Sequence, residues 1–313
     1  MRFPSARLSS ALLRKTCFVV TSWSLIAALS GCGGDNLTAV PQRIAVNASP
    51  NGIAIRATDG AVFITDDQTN SVLSSSDGRT FAHYASVPAV AGQSNSLSQL
   101  SFADPNTLMI ERFGFGTASA VFSISGSDAI AAFSGPDPAR RRLGLISIGS
   151  NQLLSSWFIK AGSSPSQGGV SLITYDLNAH TAVERDLLTG LGKPVGMAVS
   201  HDTVYVSDQA NNVIVKSGLS TLLAGSQPVA PDATLARITG PDLMTVDANG
   251  TLYTKCNTTG LCRIAPDGTI SVLANDFQDA RGVAIDATRH QLYAIDRASG
   301  TGGTSYVRTF PLD

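Results

Sequence analysis

Residues 204–215 read VYVSDQANNVIV, and residues 62–73 read VFITDDQTNSVL. The match continues upstream, where PVGMAV (194–199) leads into the first stretch and PNGIAI (50–55) into the second. A phrase written twice in one chain marks a repeating structural unit, and such repeats decide the architecture. The unit is a short apolar strand, a polar turn, a second strand ending near Asp, a loop, and two further strands. Its first strand recurs as GIAI (52–55), QLSF (99–102), LISI (145–148), GMAV (196–199), LMTV (243–246) and GVAI (282–285). Their last residues are separated by 47, 46, 51, 47 and 39 positions. The second strands follow as AVFIT, TLMIE, QLLSS, TVYVS, TLYTK and QLYAI. Six units of this length, each of four short strands, predict an all-β fold, a six-bladed β-propeller. No long stretch carries a helical period. The sixth unit offers three strands, the last near SYVRTF (305–310), and RIAV (43–46) is placed to supply the fourth. Closing the ring with both termini removes its exposed edge.

Composition narrows the function classes. Of 313 residues 14% are charged, against roughly 25% in an average soluble protein, and the net charge is −1. No field is present to attract nucleic acid, which is excluded as a partner. The reading predicts a monomer whose partner is a small-molecule or protein ligand. The four histidines, His83, His180, His201 and His290, form no HExxH motif, and no GxSxG elbow occurs.

The first 31 residues read as a signal peptide. Arg2, Arg7, Arg14 and Lys15 form a basic start, followed by the apolar CFVVTSWSLIAALSG (17–31). It ends in LSGC (29–32), which resembles the lipobox of bacterial lipoproteins. That resemblance implies cleavage before Cys32, acylation of its thiol, and anchoring in a membrane. Gly33 follows the cysteine where an Asp would imply inner-membrane retention, so the resemblance implies the outer membrane, on its periplasmic side. Residues 32–42 then form a tether and 43–313 the propeller. Cys256 and Cys262 flank NTTGL (257–261) between two strand-like runs. A hairpin there would bring them within disulfide reach, and an exported compartment is oxidising.

PNGIAI…DGAVFITDDQTNSV, KPVGMAV…DTVYVSDQANNVI and GPDLMTVDANGTLYTKCNTTGLCRIAPDGTI resemble NHL-type repeats and the related senescence-marker/gluconolactonase-like propellers. The resemblance spans residues 43–313. It implies a divalent metal held by a Glu, an Asn and an Asp before first strands of different blades, polarising a lactone carbonyl. Asp242 in GPDLMTV matches the Asp; Val195 stands where the Asn would be, and Asn51 where the Glu would be. The reading therefore assigns no cofactor and no catalytic residue, with a metal at Asp242 only under the hydrolase alternative.

The connections divide into two sets. Turns such as ATDG, SHD, DANG and APDG are short. FGFGTAS (113–119), KAGSSPSQGG (160–169), AGSQPVAPDATLARITGPD (224–242) and RASGTGGTS (297–305) are long and are expected together on the opposite face, where binding resides. Aligning the blades places Asp66, Arg112, Trp157, Asp208, Cys256 and Asp296 after second strands. It places Asn51, Ser98, Gly144, Val195, Asp242 and Arg281 before first strands. Asp66, Asp208 and Asp296 are expected to accept backbone N–H groups in the following turn, and with Asp242 they are candidate ligand contacts. Arg112 and Trp157 break the rule and bring Phe113 and Phe158 with them, so an Arg beside aromatic faces is expected to hold an anionic or planar ligand. The RRR run (140–142) is expected to be solvated. Two functions follow: a lipid-anchored scaffold binding through its long-loop face, or a metal-dependent lactonase with a rebuilt site.

Overall fold

The computed structural model describes residues 42–149, 151–162, 164–300 and 302–312. The signal peptide, Cys32 and most of the tether lie outside the described residues. Six four-stranded antiparallel sheets follow one another around a ring. The first blade is β2 (Ile53–Ile55), β3 (Val62–Asp66), β4 (Ser71–Ser75) and β5 (Ala82–Ser86). The second is β6 (Leu97–Asp104), β7 (Thr107–Arg112), β8 (Ala120–Ile124) and β9 (Ile130–Ala132), and the third β10 (Arg141–Gly149), β11 (Gln152–Ala161), β12 (Ser164–Asp176) and β13 (Thr181–Leu191). The fourth is β14 (Pro194–Ser200), β15 (Thr203–Asp208), β16 (Val213–Gly218) and β17 (Ala233–Arg237). The fifth is β18 (Met244–Val246), β19 (Leu252–Lys255), β20 (Leu261–Ile264) and β21 (Ile270–Ala274). The sixth, β22 (Ala280–Asp286), β23 (Gln291–Asp296) and β24 (Ser305–Pro311), is completed by β1 (Gln42–Val46). β1 runs antiparallel to β24 in a five-pair register that sets Arg43 opposite Arg308.

Each second strand lies between neighbouring blades and packs on both faces. This is why VFITD in β3 is buried throughout rather than alternating. The core is accordingly divided between blades: Phe63 and Val72 of the first meet Leu97, Leu108 and Ile110 of the second. Toward the axis the first strands approach so closely that a side chain would not fit. A Cβ at Gly52 would stand 2.2 Å from Ser98 O, and one at Gly196 2.3 Å from Asp242 O, in the next blade. The repeated glycine of GIAI and GMAV is a close-approach residue. Buried hydroxyls bridge the same seam. Ser207 Oγ accepts from Gly196 N at 2.7 Å and donates to Asp242 O at 2.9 Å, and Ser156 Oγ donates to Val195 O at 2.7 Å.

Two of the long connections differ from expectation. Residues 160–169 form no loop: β11 and β12 continue as a hairpin past Ile159↔Gln167 to Ala161↔Ser164. The 224–242 segment is divided by β17, and its first part joins α1 (Leu219–Ala224) on the short-turn face. The reason is local. Asp202, in the turn after β14, accepts from Leu219 N through its carbonyl at 2.7 Å and from Ser220 N through its carboxylate at 2.8 Å. Leu222 is buried with residues of β14, β15 and β16, anchoring the helix against that blade. The short turns hold His180, His201 and His290 at positive φ of 50°, 52° and 50°. Cys256 and Cys262 form a disulfide across the turn between β19 and β20, Cα–Cα 5.7 Å. Among the described residues no helix is long and apolar enough to cross a membrane.

Candidate functional site

The three repeated aspartates are buried, each 1% exposed. Asp66 accepts from Ser49 N at 2.7 Å and Gln68 N at 3.0 Å, and Asp208 from Gly192 N and Lys193 N, both at 2.9 Å. Asp296 accepts from Gln278 N at 2.7 Å. Each carboxylate therefore clamps the chain arriving from the previous blade to the second strand of its own. Only Asp66 among them also holds the N–H groups of its following turn in the manner expected from sequence.

Arg112 does not reach the channel. Its Nε donates to Ala118 O and its Nη1 to Pro88 O, both at 2.7 Å, and its guanidinium lies 5.1 Å from the centre of the Phe122 ring. Trp157 is 2% exposed and donates from Nε1 to Ser171 Oγ at 2.7 Å. Both side chains brace loops and blades rather than lining a pocket. The arginine run is equally far from the solvated stretch expected. Arg140 stacks 3.8 Å from the Trp157 ring centre and pairs with Glu184 at 2.8 Å and Asp186 at 2.6 Å. Arg142 is wholly buried and pairs with Glu184 at 2.7 Å. Ser155 donates to Glu111, which burial pushes up to about 8. Carboxylates on β13 paired with Arg140 and Arg142 explain why these charges are tolerated inside.

The charged residues that do gather at the long-loop mouth come mainly from the fourth to sixth blades, joined by Asp67 of the first, which meets Arg297 at 3.0 Å. Asp242 precedes β18; Asp279 and Arg281 flank the start of β22; Lys255 ends β19; Lys193 lies between β13 and β14. Arg281 Nη1 meets Asp242 Oδ2 at 3.2 Å, its Nη2 meets Asp279 Oδ2 at 2.7 Å, and Lys255 Nζ meets Asp279 Oδ1 at 2.5 Å. Burial works to lower the Arg281 guanidinium, but Asp242 and Asp279 together outweigh it and hold it above its ordinary value. Lys193 is lowered, chiefly by burial, while Asp242 attracts and Arg281, Lys160 and Lys255 repel its charge. Along the first strands lies a cavity of about 350 Å³, lined by residues such as Ile53, Leu145, Met197 and Val283 and reaching Ile55, Val199 and Ile285 at the short-turn end.

This donor set does not fit a divalent metal. The Asp242 carboxylate already accepts from Leu243 N at 3.0 Å and from Arg281. Val195, 2% exposed, has no ligand atom, and the Asn51 amide donates to Leu97 O at 3.0 Å. Among the described residues no three His, Cys, Asp or Glu side chains converge as a metal group. A guanidinium sits against the one carboxylate that the metal pattern retains. Arg281, Lys193, Lys255 and Asp279 were not candidates from sequence, although Arg281 belongs to the aligned ring before the first strands.

Comparison with protein-family profiles and with curated proteins finds no match. Solved structures do match. A gluconolactonase from Xanthomonas campestris superposes with TM-score 0.66 at 14% identity, covering 87% of this chain and 89% of that one. The likeness is one of fold. The calcium-binding protein regucalcin from Agrobacterium tumefaciens matches with TM-score 0.61 at 13% identity, over 87% and 94% of the two chains. A luciferin-regenerating enzyme gives 0.64 at 13%, over 87% and 95%. The architecture is thus a six-bladed propeller whose structural neighbours include gluconolactonases.

Proposed function

We propose that the protein is a hydrolase of gluconolactonase-like architecture that handles a small lactone at its long-loop mouth, with Arg281 supplying the positive charge. The observation that carries this is the Arg281 guanidinium fixed between Asp242 and Asp279 at the mouth. Two of the structural neighbours carry gluconolactonase in their descriptions, which supports a hydrolase over a pure scaffold. A fixed cation stabilises negative charge developing on a carbonyl oxygen without reorganising. Water adds to the acyl carbon, the ring C–O bond breaks, and the leaving oxygen takes up the proton. Asp242 and Asp279 hold the guanidinium in place, and Lys255 holds Asp279.

The test is hydrolysis of glucono-1,5-lactone, followed by acid release in a weakly buffered indicator solution, with and without EDTA. The expected rate survives EDTA and falls about 100-fold in Arg281→Met, the scale of losing one oxyanion partner. A rate abolished by EDTA would overturn the metal-free assignment. A second reading, a binding scaffold without turnover, is favoured by the absence of a free base at Asp242, whose oxygens are both engaged. Calorimetric binding of the lactone with no acid release would establish it. We also propose that Cys32 is acylated and holds the protein at the outer membrane, facing the periplasm. Incorporation of labelled palmitate, lost in Cys32→Ser, tests this.

A further inference from the structure

On the same face, between the second and fourth blades, stands a second group of cations, partnered by aromatic rings rather than carboxylates. The Arg141 guanidinium, at the start of β10, lies 5.5 Å from the ring centres of both Phe113 and Phe115, and 6.0 Å from that of Phe158. Lys193 Nζ lies 5.8 Å from the Phe158 centre. Both cations therefore lie within about 6 Å of the Phe158 ring centre. Neither of them is ion-paired to an Asp or Glu among the described residues. This contrasts with Arg140, Arg142, Lys255, Arg281, Arg297 and Arg308, each held by at least one carboxylate. Lys193 donates to the neutral Gln209 Oε1 at 2.5 Å.

The rings are built into place. Phe113 and Phe115 meet edge to face at 5.0 Å, and Phe113 packs on Phe158 at 5.9 Å. The intervening Gly114 and the following Gly116 adopt φ of 69° and 73°, which turn the loop back on itself. A Cβ at Gly114 would stand 2.1 Å from Ser119 N, so the loop is closed against its own far end. Gln93 Oε1 accepts from Phe115 N at 3.1 Å and fixes the loop from the first blade's side. The result leaves Phe115 39% exposed beside Arg141 in a protein whose formal net charge is −1.

We propose that Arg141, Lys193 and the Phe113–Phe115–Phe158 shelf form a subsite for an organic anion bearing a planar ring, such as an arylcarboxylate. Its carboxylate would be held by the two cations and its ring laid against the exposed edge of the shelf. Two cations without a carboxylate partner near one ring favour a negative ligand. An exposed aromatic face rewards a flat apolar body over a saturated one. This subsite shares Lys193 with the mouth, where Asp242 and Arg281 act on its charge, but neither of those two belongs to it.

The experiment is calorimetric titration of the purified full chain in detergent with phenylacetate, cyclohexylacetate and acetate at low salt. Phenylacetate is expected to bind at millimolar or tighter affinity, more tightly than either control, and to weaken as salt rises. Arg141→Gln and Lys193→Gln are each expected to weaken it about tenfold, in line with loss of one charge-assisted bond. Phe115→Ala, a substitution at an exposed loop position, is expected to remove the preference for phenylacetate over acetate. Arg281→Met is expected to leave phenylacetate binding in place while lowering lactone turnover about 100-fold, so the two proposals fail separately. No binding of phenylacetate, equal binding of acetate, unchanged affinity in Arg141→Gln and Lys193→Gln, or loss of binding in Arg281→Met would each overturn the subsite.

Discussion

Glu111 is the residue on which pH acts most directly. It is fully buried on β7, with Ser155 donating to one oxygen, and burial raises its pKa from 4.5 to about 8 against the pull of Arg142. A folded-state value above the unfolded one means that the fold prefers the neutral acid. The cost is absent below about pH 4.5, grows through the interval, and is complete above about pH 8. Glu111→Gln is therefore expected to gain stability over the native chain progressively between those limits, and urea midpoints at pH 5, 7 and 9 check this. At Asp208 the direction reverses. Asp208→Ala loses acceptors for Gly192 N, Lys193 N and Asn211 Nδ2 at once. It should cost about 2–3 kcal/mol by denaturant titration at neutral pH. The repeated aspartates were legible because they recur at one place in the repeat. Asp242 was legible too, but its pairing with Arg281 was not, because that pairing crosses 39 positions and depends on how two blades meet. The notion of an arginine against Phe113 and Phe158 was legible too, but the register of β10 makes it Arg141 rather than Arg112.

Among elements, the innermost strands are the least forgiving. Gly196→Ala would drive a methyl group into the Asp242 carbonyl of the next blade, 2.3 Å from where its Cβ must sit. A loss of about 2–4 kcal/mol is expected, the scale of an overpacked core, with the midpoint of chemical unfolding as readout. The same methyl at Gly149, where nothing lies within 4 Å, meets no neighbour and tests φ of 86° alone. On the fifth blade the Cys256–Cys262 bridge closes a short turn. Replacing both by Ser should cost about 2 kcal/mol, as the loop-entropy relation gives for so small a ring. Strand identity was readable throughout from short apolar runs between Asp/Gly turns. The hairpin of β11 and β12 was not, because its Gly, Ser and Pro content is that of a loop. Pairing with a neighbouring strand overrides that composition. The helix α1 escaped notice for a different reason: six residues are too few for a period to show.

For the molecule as a whole, closure is the decisive feature. β1 covers the outer edge of β24 through five consecutive pairs, so that no blade is left with three strands. A chain beginning at Ala48 would lack that cover. It is expected to expose the β24 edge and to elute in size-exclusion chromatography with light scattering as a mixture of oligomers. If the truncated chain stays monomeric, β1 is not what protects that edge. The ring count was legible from six recurrences of one phrase, and the closing strand from the shortfall in the last unit. The positions of the mouth residues around that ring were not, since they follow from the twist and spacing of whole blades. Closure also has a temporal side. β1 leaves the ribosome well before β24, with Arg43 and its partner Arg308 265 positions apart in the chain. At about 5–20 residues per second, β1 waits roughly a quarter of a minute to a minute for its partner to be made. Until then the nascent protein is an open arc rather than a ring, and whatever escorts it must shield both ends of that arc.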